Sequence, residues 1–385
     1  MRIAINAKLL ISPHTGIASY TRNLVLALNE LGSVDTPLFY GLTWSRTLRQ
    51  APVPGIGTLK TLAKRLLPKP YMLARAVQQF QFTQGVRRLK PDLYHEPAFL
   101  PFRFSGPTVV TVHDLSMIRY PDTHPDARVE DARKRLPAAI ESASAIIVDS
   151  EFVRHEVIGH FGADPSRVVA IHLGVSRRFR QRLEREVAPV LAGYGLRYRG
   201  YMLAVGTLEP RKNLLQALDA HAGLPERERA NIPLVVAGMR GWLTRELESK
   251  IHAAEERGEV RWLGYVPSEN LPAIYAGARL FVYPSLYEGF GLPVLEAMAS
   301  GIPVVTSNQA SLPEVAGEAG IMVDPHDRDA LRDAMLRMIE DESHALRHAE
   351  LGLKQAAQFT WRACAEKTLA VYRKVVESAG RGRST

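Results

Sequence analysis

The sequence has one cysteine, Cys364, so no disulfide can form within the chain and a reducing compartment is expected. It has no uninterrupted apolar run near the roughly 20 residues that a membrane-spanning helix needs. The stretch from Met1 to Leu10 is apolar, but it contains Asn6 and Lys8 and no small-residue cleavage site follows it. That pattern argues against a secretory leader, and a cytoplasmic protein is expected. Acidic residues are missing altogether between Asp35 and Asp92. Short-period repeats and low-complexity tracts are also missing.

The acid-free interval carries Arg46, Arg49, Lys60, Lys64, Arg65, Lys69, Arg75, Arg87, Arg88 and Lys90. These ten cations exceed the whole net charge of +9, so the rest of the chain is close to neutral. Ile56, Leu59, Leu62, Leu66, Leu67, Tyr71, Met72 and Leu73 interleave with them. A basic segment with an apolar face suits an anionic membrane surface. A solvated surface insertion at about residues 41–90 is the competing reading. Nucleic acid is not expected as a partner, because no recognition motif accompanies the charge.

A chain of 385 residues is too long for one compact core and comfortable for two. Strand-like apolar runs alternate with helical spacing from Arg2 to Ile171, then again from Tyr201 to Val323. That alternation predicts two α/β domains with parallel sheets, whose ligands bind at the carboxyl ends of the strands. The first domain is expected over 1–176 and the second over 201–360. The charged, aperiodic stretch 177–200 reads as the linker, with room for a short helix. Pro137 is expected to kink or interrupt the helix from Arg128 to Ser142. Arg362 to Ser378 reads as a final helix within 361–385, and Gly380 to Thr385 as a disordered tail.

Two motifs carry chemistry. The first is Glu288-Gly289-Phe290-Gly291-Leu292-Pro293-Val294-Leu295-Glu296, which follows the apolar run Leu280 to Pro284 and runs into a short helix stopped by Gly301. Glycines allow close backbone approach to a ligand, and a helix start points N–H groups at anions. The two carboxylates would accept hydroxyl hydrogen bonds. The second is Gly206-Thr207-Leu208-Glu209-Pro210-Arg211-Lys212-Asn213, placed between a strand and a helix. It puts two adjacent cations where a diphosphate is stabilised. Together the motifs suit a sugar joined to a nucleoside diphosphate.

With these motifs, the sequence resembles the retaining glycosyltransferases of the GT-B fold, family 4. The resemblance extends over nearly the whole length. It is carried by Thr15-Gly16-Ile17, Val112-His113-Asp114-Leu115, His172-Leu173-Gly174-Val175, Gly206 to Asn213, Gly264-Tyr265-Val266, Glu288 to Glu296 and Leu312-Pro313-Glu314-Val315. It implies two Rossmann-like, doubly wound domains facing across a cleft, with the last helix crossing back to the first. By the resemblance, Glu296 holds the ribose hydroxyls and Glu288 the donor sugar or phosphate region. Backbone N–H groups of Phe290, Gly291 and Leu292 contact the sugar and diphosphate. Arg211 and Lys212 neutralise the leaving group, Val266 lies against the base, Gly16 leaves room for the phosphate and acceptor, and His113 reaches the donor sugar. Asp114 could orient that histidine or cap a turn, and Glu314 could cap a helix or join the site.

No metal or cofactor is expected, since cations and helix dipoles can supply the charge stabilisation. Asp327-Arg328-Asp329 opens a helix and reads as a cap. His155 and His160 are one residue too far apart for a shared metal on one helix face. The implied reaction transfers a sugar to an acceptor hydroxyl with retention, by same-face attack. The Glu-Pro-Arg-Lys-Asn loop resembles that of mannosyltransferases using GDP-mannose in surface polysaccharide assembly, with UDP-glucose as the alternative donor, and the basic, apolar segment suggests a lipid-linked or polysaccharide acceptor at the membrane. A nucleotide-sugar epimerase or hydrolase, or a non-catalytic sensor, are the alternative functions.

Overall fold

The computed structural model describes residues 1–11, 16–49, 70–242 and 244–381. Lys60, Lys64, Arg65 and Lys69 of the basic interval lie outside the described residues, as do Thr15 and the last four residues.

Two sheets organise the chain. In the first lobe, β1 (Ile3–Asn6), β2 (Leu38–Phe39), β3 (Trp44–Ser45), β4 (Leu93–Glu96), β5 (Thr108–Val112), β6 (Ala145–Val148) and β7 (Val168–Ala170) stand in the order β3-β2-β1-β4-β5-β6-β7. Only β2 and β3 pair antiparallel. In the second, β8 (Met202–Val205), β9 (Leu234–Ala237), β10 (Val260–Gly264), β11 (Leu280–Tyr283), β12 (Val304–Ser307) and β13 (Gly320–Val323) form a parallel sheet ordered β10-β9-β8-β11-β12-β13. Every residue of β5, β6, β9 and β11 is buried. Helices cover both faces of such strands, which is why they appear in the sequence as continuous apolar runs. The strand order reverses between β1 and β4 and between β8 and β11. Those two switch points are where loops diverge and leave room for a ligand.

The chain crosses between the lobes twice, side by side. Val175 bridges Thr360, and the Val175 N–H donates to the Phe359 carbonyl at 3.1 Å. The helix Trp361–Arg381 then packs on the first lobe, where the Tyr372 hydroxyl meets His95 Nδ1 at 2.6 Å. That helix runs through Gly380, past the expected start of the disordered tail. Gly174 makes the double crossing possible: a Cβ there would lie 2.1 Å from the Trp361 nitrogen.

Two expectations need correction. Residues 177–200 are not mainly linker, because they hold the helix Glu184–Gly193 with Val187 and Leu191 buried. Leu191 packs against Gly277, and Tyr194 accepts a 3.0 Å hydrogen bond from Asn270, so this helix belongs to the second lobe. Flanking charges and Pro189 mask its apolar spacing. The helix Asp126–Ser142 also continues through Pro137, held by buried Leu136, Ala139 and Ile140 on either side. Among the described residues no helix is long and apolar enough to cross a membrane.

The crossing gives a stability test. Gly174→Ala forces a methyl into backbone and is expected to cost about 1–3 kcal/mol, the usual range for overpacking. Denaturant unfolding measures this, and a wild-type midpoint would contradict the steric account.

Candidate active site

The second-lobe switch point joins the loop after β8 to the loop after β11. Pro210–Lys212 forms a single 3-10 turn, and Asn213 follows in the left-handed region at φ 55°. Asparagine tolerates that conformation. Its side chain ties the turn to the Pro284 and Pro325 carbonyls at 3.1 and 2.7 Å. This fixes Arg211 and Lys212 beneath Glu288.

Glu288 is buried and fully engaged. Its Oε1 accepts from Lys212 Nζ at 2.7 Å, the Ser285 hydroxyl at 2.6 Å and the Tyr283 hydroxyl at 2.9 Å. Its Oε2 lies 3.1 Å from Arg211 Nη1. Burial alone would push this carboxyl up, but Lys212 and Arg211 override it and hold the pKa down to about 2. Arg211 also donates to the Tyr287 carbonyl at 2.5 Å and to Glu209 Oε1 at 2.7 Å. Its burial opposes the charge, yet Glu288, Asp114 and Glu209 keep the guanidinium more firmly protonated than usual. Arg211 Nε is buried with no partner among the described residues. Two cations and two carboxylates thus form one buried quartet.

His113 follows β5 and is buried between Tyr20, at 4.9 Å between ring centroids, and Phe99, at 6.0 Å. Nε2 lies 2.8 Å from the Pro97 carbonyl and Nδ1 2.7 Å from Asp149 Oδ2. A carbonyl can only accept, so Nε2 carries a proton. Burial works against the charged ring, but Asp149 and the Pro97 carbonyl raise its pKa above the ordinary value. Both ring nitrogens are held within the first lobe. The atom that reaches the second lobe is the main-chain carbonyl: a Cβ on Gly289 would lie 1.8 Å from it. Asp114 caps the turn that follows, accepting from the Ser116 N–H at 2.9 Å and hydroxyl at 2.7 Å.

The remaining candidates stand on loops, helix starts and helices of both lobes. Gly16 opens the helix Gly16–Glu30, and a Cβ there would meet no atom within 4 Å among the described residues. Gly291 starts the helix Leu292–Ala299 at φ 114°, leaving the Gly291 and Leu292 N–H groups without an intrahelical acceptor. Phe290 is buried beside His172 and Phe359, and Val266 is buried just past β10. The Tyr287 hydroxyl accepts from the Leu115 N–H at 3.0 Å and donates to Glu156, crossing between lobes. Asp327 caps its helix by accepting from Ala330 N–H at 2.9 Å, and His155 and His160 are exposed.

Comparison with known proteins agrees with this geometry. Residues 198–355 match the family model described as glycosyl transferases group 1, and residues 14–179 match glycosyltransferase family 4. The O-antigen chain mannosyltransferase B of Escherichia coli is 39% identical over 371 residues, covering 94% of this chain and 96% of that one. The chain belongs to the glycosyltransferases of group 1 and family 4. Sucrose-phosphate synthase from Thermosynechococcus elongatus superposes with a TM-score of 0.75 at 21% identity, covering 98% of this chain and 100% of that one. WaaG, a glycosyltransferase involved in lipopolysaccharide biosynthesis, superposes at 0.72 with 16% identity, covering 96% and 98%. The fold of this glycosyltransferase is therefore GT-B.

Several residues of the site escaped sequence reasoning. Glu209 lies inside a quoted motif, but nothing in its spacing marks it as a partner of Arg211. Tyr283 and Ser285 bracket Pro284 and look like strand end and turn. Asp149 is the last residue before a helix cap, with no sequence sign of His113.

Glu296, one turn into its helix, is partly buried, and its environment is the reverse of that around Glu288. Burial pushes its pKa up to about 7, with Tyr275 and Arg178 pulling the other way. A carboxyl raised in the folded state is easier to ionise once unfolded, so folding loses stability as pH rises from about 4.5 to about 7. Glu296→Gln removes that penalty. Its melting temperature relative to wild type is expected to rise by about 2–4 °C between pH 5 and pH 8. A constant difference in calorimetry across that window would refute the assignment.

Proposed function

We propose that this enzyme is a retaining mannosyltransferase that moves mannose from GDP-mannose to a hydroxyl of a lipid-linked polysaccharide. The observation that carries the reading is the buried Arg211–Lys212–Glu209–Glu288 quartet at the switch point. Full-length similarity to a mannosyltransferase of O-antigen chains supports the sugar and the acceptor class.

Arg211 is buried, Lys212 is partly buried and both are fixed by carboxylates, so little reorganisation accompanies the reaction. When the bond between the anomeric carbon and the β-phosphate oxygen breaks, negative charge grows on the diphosphate. Fixed cations act most strongly on that late charge, which lowers the barrier and not merely the binding free energy. The acceptor oxygen bonds to the same face of the anomeric carbon, and its proton passes to the departing phosphate. The Leu292–Ala299 helix start adds N–H donors for the same anion. No metal is required in this scheme.

The experiment is a donor panel with purified protein and an acceptor analogue. Transfer is expected from GDP-mannose, with an α-linked product and with turnover unaffected by EDTA. Hydrolysis or epimerisation without acceptor would favour a different activity. Arg211→Ala and Lys212→Ala are each expected to lower kcat by about a hundredfold or more, the scale of losing one preorganised donor. Unchanged turnover in either variant removes that residue from the mechanism.

The acid-free interval supports an anionic membrane as the surface on which the acceptor is met. Its helix Pro70–Leu89 exposes Val77 and Phe80 and carries Arg87 and Arg88 in its last turn. Flotation with anionic vesicles is expected to weaken in the Val77→Ser/Phe80→Ser double variant. Equal flotation of both proteins would count against this surface.

A further inference from the structure

Glu314 sits on the short second-lobe helix Leu312–Ala316, yet among the described residues its hydrogen bonds all go to the first lobe. Its two oxygens accept the Glu151 N–H at 3.0 and 3.1 Å, and Oε2 accepts the Phe152 N–H at 3.4 Å. Those N–H groups open the helix Glu151–Phe161, where no intrahelical acceptor exists and the dipole favours an anion. His172 Nε2 holds Oε1 at 2.5 Å. Burial pushes the Glu314 pKa up, but His172 and the N–H groups bring it below the ordinary value, so the ionised form occupies this seat.

The same junction grips the donor loop. Ser150 is the N-cap of the first-lobe helix, and its hydroxyl donates across the cleft to the Gly289 carbonyl at 2.8 Å. From the second lobe, the Ser311 hydroxyl reaches the Glu288 and Phe290 carbonyls, both at 2.8 Å. Three consecutive carbonyls are therefore held, the middle one by the opposite lobe. Ser311 and Glu314 lie one turn apart, so a single turn of chain links the loop to the contact between lobes.

We infer that Glu314 is a positioning residue whose carboxylate, seated on the start of the Glu151–Phe161 helix, clasps the lobes together and so fixes the Glu288–Phe290 loop. The kinetic consequence rests on the transferase reading, but the clasp itself does not.

Interlobe distance tests the clasp directly. Spin labels are placed at Glu130→Cys and Glu340→Cys, both exposed, while buried Cys364 stays unlabelled. Distances are measured with and without GDP. Glu314→Ala is expected to shift the distribution to longer separations, with a melting temperature within about 3 °C of the parent, as for a contact at the surface of one lobe. With GDP-mannose its kcat/KM is expected to fall about tenfold or more, the scale of one charge-assisted hydrogen bond. Glu314→Gln keeps an acceptor oxygen without the charge and should fall between; it serves as the test protein if Glu314→Ala does not fold. An unchanged distance distribution in a folded variant overturns the inference. If the parent transfers no mannose, the donor reading fails, and the distances still decide the clasp.

Discussion

The site depends on keeping one carboxylate ionised in a dry place. Glu288 has left water, and in real proteins that costs several kcal/mol per ion. Lys212 and Arg211 offset the cost, and Ser285 and Tyr283 satisfy the remaining lone pairs. The quartet also ties two loops that are distant in sequence. Remove one cation, and Glu288 is left under-compensated in the interior, typically a loss of about 3–5 kcal/mol. An apolar substitute could fill the same volume with less desolvation, so stability alone gives no reason for the arrangement. Cations fixed beforehand in a site shielded from water are what electrostatic stabilisation of a developing anion requires.

Around that centre the lobes meet backbone to backbone. The His113 carbonyl occupies the space a side chain at Gly289 would take, so the glycine serves close approach of the lobes. Tyr287 links Leu115 to Glu156 at the middle of the cleft. At one edge Trp242 donates to the Thr123 carbonyl at 2.5 Å, with the Arg128 guanidinium 5.1 Å over its ring. Among the described residues these contacts combine hydrogen bonds with ring contacts such as those of Tyr287 with Tyr120 and Phe152. The paired crossing at Gly174 and Thr360 joins the lobes at one end.

The sequence made the sheets legible because strands buried on both faces leave unbroken apolar runs, and parallel pairing follows from the alternation with helices. It also showed the strand-loop-helix setting of Arg211, Lys212 and Glu288, since those three lie beside glycines and strand ends. What stayed hidden was pairing over distance. Nothing near Glu314 indicates that the helix it caps lies 163 residues earlier. The engagement of both His113 ring nitrogens by Asp149 and the Pro97 carbonyl is another pairing with no sign in the sequence. Pro137 illustrates the opposite case, where tertiary burial of its neighbours carries a helix past a residue that locally disfavours it.

The two glutamates that frame the donor motif show how environment divides chemically identical groups. Glu288 stands among cations and is ionised at any working pH, so it can only accept hydrogen bonds and hold Arg211 and Lys212 in place. Glu296, eight residues on, has burial as its main influence, opposed by Tyr275 and Arg178, and its pKa is pushed up to about 7. A protonated carboxyl can donate one hydrogen bond while accepting another. The helix that carries Glu296 keeps it one turn from the Gly291 and Leu292 N–H groups that have no intrahelical acceptor.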